Sequence, residues 1–112
     1  MKKIEAVIRP GRLTEVLEAL LSIGLDGLTM TEIRGFGASS SGPQYRGAVV
    51  DVAPVIALAK VEVVVPDFKV SQTVEAIRRA ARTGQRDDGR ISIVPIDDVL
   101  RVRTGETGEA AL

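Results

Sequence analysis

The chain has 112 residues, a length that suits one domain and is too short for two ordinary ones. Its 15 basic and 15 acidic residues leave no net charge, and with one tyrosine, two phenylalanines and no tryptophan it has neither the charge nor the stacking platforms of a nucleic-acid-binding surface. Cysteine and histidine are both missing, which excludes disulfides and a His/Cys metal site and leaves so few catalytic groups that we expect no enzyme.

The first third of the chain predicts a strand, a helix and a second strand. Residues 2–9 alternate between apolar and polar side chains, as in a strand with one buried face. A helix should follow, ending at Gly24, with leucines that face the core. Its apolar stripe consists of Leu13, Val16, Leu17, Leu20 and Leu21. Residues 27–35 then predict the second strand.

Residues 35–54 predict a long loop, because they include four glycines, two prolines and three consecutive serines. A loop of this length in a small domain is usually functional or disordered. Residues 55–65 follow as the most apolar strand of the chain. Pro66 and Asp67 should open a second helix, with Asp67 as its cap and Gly84 at its end. The apolar positions of this helix are Val70, Val74, Ile77 and Ala81.

The last part of the chain predicts two strands, residues 90–96 and the short segment Arg101–Thr104, and a polar tail at 105–112. Positions two apart in a strand point to the same face, so Arg101 and Arg103 should form a paired grip for an anion, with Val102 turned away. The glycine-framed loop before the first of these strands ends at Arg90, and loop amides near glycines can cradle phosphate oxygens. Together these features indicate a small ligand that carries phosphate.

Two plainer interpretations remain open at this point. The paired arginines could be solvated charges on an edge strand, and the glycine-framed loop could be an ordinary turn between a helix and a strand. The loop is not a Walker A motif, because it lacks the Gly-Lys-Ser/Thr ending. No apolar run approaches the ~20 residues that a membrane helix needs, and charged residues interrupt the run behind Met1, so we expect a cytoplasmic protein without membrane insertion.

An internal symmetry predicts the fold. Residues 7–24 and 63–84 share one plan, an apolar strand, a proline, an amphipathic helix and a glycine, and each is followed by another strand. This gives βαββαβ, the α+β ferredoxin-like sandwich. Its two helices can cover only one face of a four-stranded sheet, yet 56–65 is apolar at nearly every position. We therefore expect a neighbouring copy of the chain to cover the other face.

Six segments in order resemble the PII signal-transduction proteins, which are trimeric ferredoxin-like sensors. They are MKKIEAVIRP at the start, TEIRGFG (31–37), YRG (45–47), KVEVVVPD (60–67), ARTGQRDDGRISI (81–93) and RVRTGE (101–106). The resemblance implies one PII-like domain over 1–112 that forms a homotrimer. It also implies a long T-loop at 36–54, a B-loop at 82–90, and a C-terminal strand and tail at 101–112.

The resemblance further implies an adenine nucleotide (ADP, AMP or ATP, with Mg²⁺ accompanying ATP) as effector in clefts between subunits, without a cofactor, a resident metal or catalytic residues. Carried over position by position, the nucleotide-binding residues would be Thr29, Gly35, Gly37, Val64, Asp88, Gly89, Arg90, Arg101 and Arg103. The T-loop would engage a target protein, which could be a transporter, an enzyme or a transcription factor. Its partner-binding residues would be Ser39, Ser40, Tyr45, Arg46 and Gly47.

Three departures from the family concern one ligand. Ala38 stands where the family has a basic residue, Ser39 where it has glutamine, and Leu58 where it has the lysine that pairs with 2-oxoglutarate. These departures argue against 2-oxoglutarate sensing and suggest a different small anion, such as bicarbonate. The family's modifiable tyrosine is also missing, since Tyr45 is the tyrosine of YRG itself, so regulation by uridylylation is not expected.

A fourth departure concerns the phosphates. Asp87 stands where the family usually has glycine, and an extra carboxylate should repel polyphosphate unless Arg86 or a cation offsets it. We therefore expect ADP or AMP to compete well against ATP. Two alternative functions stay open: a structural or interaction trimer with little nucleotide affinity, and a small phosphate-ester hydrolase that uses Asp87 or Asp88.

Overall fold

A computed structural model describes residues 1–25, 27–35 and 55–112. The whole of the expected T-loop (36–54), and with it Gly37, Ser39, Ser40, Tyr45, Arg46 and Gly47, lies outside these residues. The described elements are the strands β1 (Lys2–Ile8), β2 (Thr29–Gly35), β3 (Ile56–Val65) and β4 (Gly89–Pro95) and the helices α1 (Leu13–Ser22) and α2 (Val70–Ala81).

The four strands form one antiparallel sheet in the order β2-β3-β1-β4. With the helices following β1 and β3, the chain has the βαββαβ order, so the predicted ferredoxin-like sandwich is confirmed. In the register, Ile8 lies opposite both Ala59 and Gly89, and Lys2 lies opposite both Val65 and Pro95. The end of β1 is therefore beside the beginning of β4.

The core lies between one face of the sheet and the two helices. Alternate residues of the central strands β1 and β3 point into it, and α1 and α2 supply the other side. Its buried side chains are Ile4, Ala6, Ile8, Val16, Leu20, Ala59, Val61, Val63, Val65, Ile77 and Ala81. Within the described part of the chain, no helix is long and apolar enough to cross a membrane.

The first helix departs from the prediction at one position. Gly24 follows it with a φ of +88° and donates its N–H to the Leu21 carbonyl at 3.0 Å, so the predicted glycine end is confirmed. The prediction that Leu21 lies in the core is wrong, since its side chain is 61% exposed. It lies five positions after Val16, which turns it roughly 140° around the helix from that buried residue.

The predicted cap of the second helix is also wrong. Asp67 begins a short 3₁₀ turn, and α2 starts only at Val70. The Asp67 carboxylate does not accept a helix N–H. It pairs instead with the Lys2 ammonium at 3.5 Å and with the Met1 amino group at 2.9 Å, because the beginning of β1 lies next to this turn.

The predicted strand at Arg101–Thr104 is a turn. An isolated bridge joins Leu100 to Thr107, and between them the Arg101 N–H donates to the Glu106 carbonyl at 2.9 Å. Gly105, with a φ of +78°, donates its N–H to the Arg101 carbonyl at 2.7 Å. The segment thus closes on itself through a left-handed glycine, and the alternation argument for a paired arginine grip does not apply.

The helix-free face of the sheet has a charged centre. The Lys60 ammonium lies 3.3 Å from the Glu5 carboxylate and 3.7 Å from that of Glu62, and the Lys3 ammonium lies 3.3 Å from Glu62. The pKa of Lys60 is raised, mainly by its hydrogen bond to Glu5 and next by the negative charge of Glu62. The apolar character of 56–65 is therefore divided between two faces, and only the helix side is fully apolar.

Candidate functional site

The loop that connects α2 to β4 is organised by the carboxylate of Asp88. This carboxylate accepts the backbone N–H groups of Thr83 and Gly84, each at 2.8 Å, and the hydroxyl of Thr83. It also accepts the Nε–H of Arg9 at 3.1 Å. These contacts lower the pKa of Asp88 well below its usual range. The hydrogen bond from the Thr83 hydroxyl is the largest cause, and the two amides and Arg9 are further causes.

Arg9 is the functional candidate that sequence reasoning missed. Its Nη2 donates to the Gln85 side-chain oxygen at 2.8 Å and pairs with the Asp87 carboxylate, while its Nε bonds to Asp88. The cation that offsets Asp87 is therefore Arg9 and not Arg86. These residues meet because the end of β1 pairs with the beginning of β4 in the sheet. The sequence pattern does not reveal this pairing.

Gly89 occupies a position that only glycine fits. Its φ is +110°, and a Cβ built on it would overlap the carbonyl oxygen of Val7. The residue begins β4 and lies opposite Ile8 in the sheet. The glycine therefore allows the loop to enter the sheet in close contact with β1.

Arg90, near the start of β4, is among the residues that line a cleft of about 450 Å³ between α2 and β4. Arg78, Arg82 and Asp88 line it as well, together with apolar residues of β1, α2 and β4. Arg78 is paired with Glu75, its Nη2 lying 2.8 Å from the carboxylate. Within the described residues, Arg82 and Arg90 have no carboxylate within salt-bridge distance, so their two charges are not neutralised there.

The predicted nucleotide-binding residues fall into two groups at opposite ends of the sheet. Gly35 ends β2 at the end of the sheet where β4 begins with Gly89, but β3 and β1 lie between these two edge strands. Thr29 begins the same edge strand opposite Glu62, so it lies three strands away from Gly89 and three residues along the strands, offsets of roughly 14 Å and 10 Å. One chain therefore does not bring Thr29 to the Asp88 loop.

The second group gathers near the beginning of β1. Val64 lies opposite Lys3 and borders a cleft of about 420 Å³ together with Gly27 and Phe68. Arg101 and Arg103 follow β4, which ends opposite Lys2. The Arg101 guanidinium is engaged within the chain, at 3.5 Å from the Glu106 carboxylate and 3.0 Å from the Leu112 carbonyl.

A third cleft, of about 390 Å³, lies beside the start of β3. Arg9, Arg12 and Asp87 line its polar side, and Leu58 is part of its apolar side. Leu58 packs close to Gly35, since a Cβ added there would meet its Cδ1 at 3.3 Å. No group of three or more Asp, Glu, His or Cys side chains in the described part of the chain is arranged to hold a metal.

The chain is similar to known proteins over nearly its whole length. The sequence pattern of the family described as "Nitrogen regulatory protein P-II" matches residues 1–106. Proteins of that name from Rhizobium meliloti and Azospirillum brasilense are 50% and 48% identical to this chain over 115 aligned positions, which span both chains completely. The solved structure of Arabidopsis thaliana PII bound to citrate superposes with a TM-score of 0.82 at 40% identity, over 99% of this chain and 91% of that one.

The match covers nearly the whole chain in sequence and in fold, and it includes the Asp88 loop and the turn at 101–106. The chain belongs to the nitrogen regulatory P-II family of signal-transduction proteins.

Proposed function

We propose that this chain forms a homotrimer in the cytoplasm, binds an adenine nucleotide in the clefts between subunits and regulates a target protein through residues 36–54. The nucleotide is ADP, AMP or ATP, with Mg²⁺ accompanying ATP. The target is a transporter, an enzyme or a transcription factor.

The observation that carries this proposal is the separation of the anion-binding candidates. Asp88–Arg90 and Gly35 lie at one end of the sheet, and Thr29, Val64 and the two arginines of 101–103 lie towards the other. Residues this far apart can contact one small ligand only if they come from two neighbouring chains. The similar Arabidopsis protein is bound to citrate, which supports a small anionic ligand for this chain as well.

The hydrolase alternative is disfavoured by the state of the two carboxylates. Asp88 already accepts two amides, a hydroxyl and a guanidinium, and its lowered pKa makes it a poor general base. Asp87 is paired with Arg9. We infer that the protein binds the nucleotide without hydrolysing it. Bound ATP that stays intact for hours would support this inference. The interaction-trimer alternative predicts no thermal shift with any nucleotide.

The 2-oxoglutarate response of the family is not part of this proposal. The lysine that would pair with this dicarboxylate is replaced by Leu58, which packs against Gly35 instead of offering a charge. We propose that a different small anion, such as bicarbonate, acts as effector. Titration with nucleotide in the presence of each anion separates the two, because only the true effector should change nucleotide affinity.

Calorimetric titration of two variants tests the nucleotide site. Arg90→Ala and Arg103→Ala should each weaken nucleotide binding by roughly 1.5–3 kcal/mol, because each removes a charge-assisted bond to phosphate. Arg79→Ala is the matched control, since Arg79 lies on the exposed side of α2 and pairs with Glu75 at 3.0 Å. Unchanged affinity in both test variants would show that the residues were assigned wrongly.

A further inference from the structure

Arg9 is shared between two carboxylates of the α2–β4 loop. Its Nε lies 3.1 Å from Asp88, and its Nη2 pairs with Asp87 and donates to Gln85 at 2.8 Å. The side chains of Arg9, Asp87 and Asp88 are only 27%, 29% and 22% exposed, so the group is partly screened from water. One guanidinium thus balances two acids at the place where the proposed function puts the phosphates.

The two carboxylates differ in how firmly they are held. Asp88 has two amides and a hydroxyl as partners besides Arg9, so it stays in place if Arg9 moves. Asp87 has Arg9 as its sole hydrogen-bonding or ionic partner among the described residues. Asp87 is therefore the member of the group that another anion can replace on Arg9.

We propose that Arg9 and Asp87 form an exchangeable ion pair that determines how many phosphates the site prefers. Asp87 occupies the Nη2 side of Arg9 when no ligand is bound, and a terminal phosphate has to displace it. This displacement costs the Arg9–Asp87 bond and leaves a free carboxylate beside the phosphate, and the repulsion grows with phosphate charge. The affinity for ATP is therefore lowered more than the affinity for ADP or AMP. The inference rests on the proposed nucleotide function and adds its determinant of specificity.

The test is the ratio of the ATP and ADP dissociation constants, measured by calorimetry for the full chain. Asp87→Asn removes the charge but keeps the shape, and it should shift the ratio about tenfold towards ATP, equivalent to ~1.4 kcal/mol. Asp97→Asn is the matched control, since Asp97 is an exposed acid beyond the other end of β4. It should leave the ratio unchanged.

A double variant tests whether Arg9 itself takes part. If the freed guanidinium binds the terminal phosphate, Arg9→Ala in the Asp87→Asn background should abolish the gain in ATP affinity. A merely structural role of Arg9 would weaken ATP and ADP equally and leave the ratio at its Asp87→Asn value. Thermal melts of each variant show whether the fold is retained.

The outcomes separate this inference from the proposed function. A ratio unaffected by Asp87→Asn, with nucleotide still bound, overturns the ion-pair inference alone. A gain that survives in the double variant also overturns it, because Arg9 would then be irrelevant. If neither the natural chain nor Asp87→Asn binds any adenine nucleotide, both the function and the inference are wrong.

Discussion

Gly89 begins β4 with a φ of +110°, and the Val7 carbonyl oxygen fills the space where a Cβ would lie. Gly89→Ala should therefore cost about 3 kcal/mol or more in the free energy of unfolding, since backbone strain and a steric clash add together. Gly84→Ala is the control, because Gly84 also has a positive φ, +88°, but no atom lies within 4 Å of its added Cβ. It should cost only ~1–2 kcal/mol. Equal losses in urea denaturation would contradict the clash.

Asp88 makes the stability of the loop depend on pH. Its pKa in the folded protein lies below its value in the unfolded chain, because the Thr83 hydroxyl, two amides and Arg9 favour the ionised form. Its contribution is therefore complete above the unfolded pKa and is lost as the pH falls through the folded one. Melting temperatures measured downward from about pH 5 should fall more steeply for the natural chain than for Asp88→Asn. Parallel curves would show that the carboxylate is not stabilised by folding.

At the residue level, the sequence shows which charged groups the α2–β4 loop contains but not which partners they have. The glycine-framed loop with its terminal cation is visible in the sequence. The partner of Asp87 is not, because Arg9 lies 78 positions away and meets it only through the β1–β4 register. A pattern along the chain indicates which residues can bind an anion, whereas folding decides which charges are already neutralised.

At the level of elements, helical periodicity located both helices but not the depth of each apolar side chain. Ile77 in α2 is fully buried, while Leu21 in α1 is 61% exposed, although both lie on predicted apolar stripes. Ile77→Ala should lower the free energy of unfolding by about 2–5 kcal/mol, and Leu21→Ala, the control, by less than ~1 kcal/mol. Chemical denaturation compares the two. Similar losses would mean that Leu21 is buried in the assembled protein.

The segment at 101–106 shows where local patterning fails. Alternating arginine and valine are compatible with a strand, but a strand also needs a neighbour with free backbone groups. Here the Arg101 and Gly105 amides bond within the segment itself, and Gly105 supplies the positive φ that closes the turn. The repeated strand–proline–helix–glycine plan, by contrast, predicted the βαββαβ order correctly, because it rests on long periodic stretches.

At the scale of the whole molecule, both helices lie on one face of the sheet, and the other face presents Lys3, Glu5, Lys60 and Glu62 to whatever covers it. These ion pairs are already satisfied within one chain. A neighbouring copy could therefore pack over them without leaving an unpaired charge, provided that the pairs stay together. This arrangement is compatible with the proposed trimer, and it explains why a strand expected to be apolar on both faces contains two charged residues.

Mixing of two variants with weakened binding tests whether the nucleotide site is shared between subunits. In the proposed trimer, Arg90 of one subunit and Arg103 of its neighbour contact the same ligand, so each single alanine variant damages every site. When the variants are unfolded together and refolded, every mixed ring contains one junction at which an intact Arg90 meets an intact Arg103. One high-affinity site per mixed trimer should return, counted by calorimetric stoichiometry. The control mixes Arg90→Ala with Arg90→Ala/Arg103→Ala, which offers no intact Arg90 anywhere. A site built within one chain would give no recovery in either mixture.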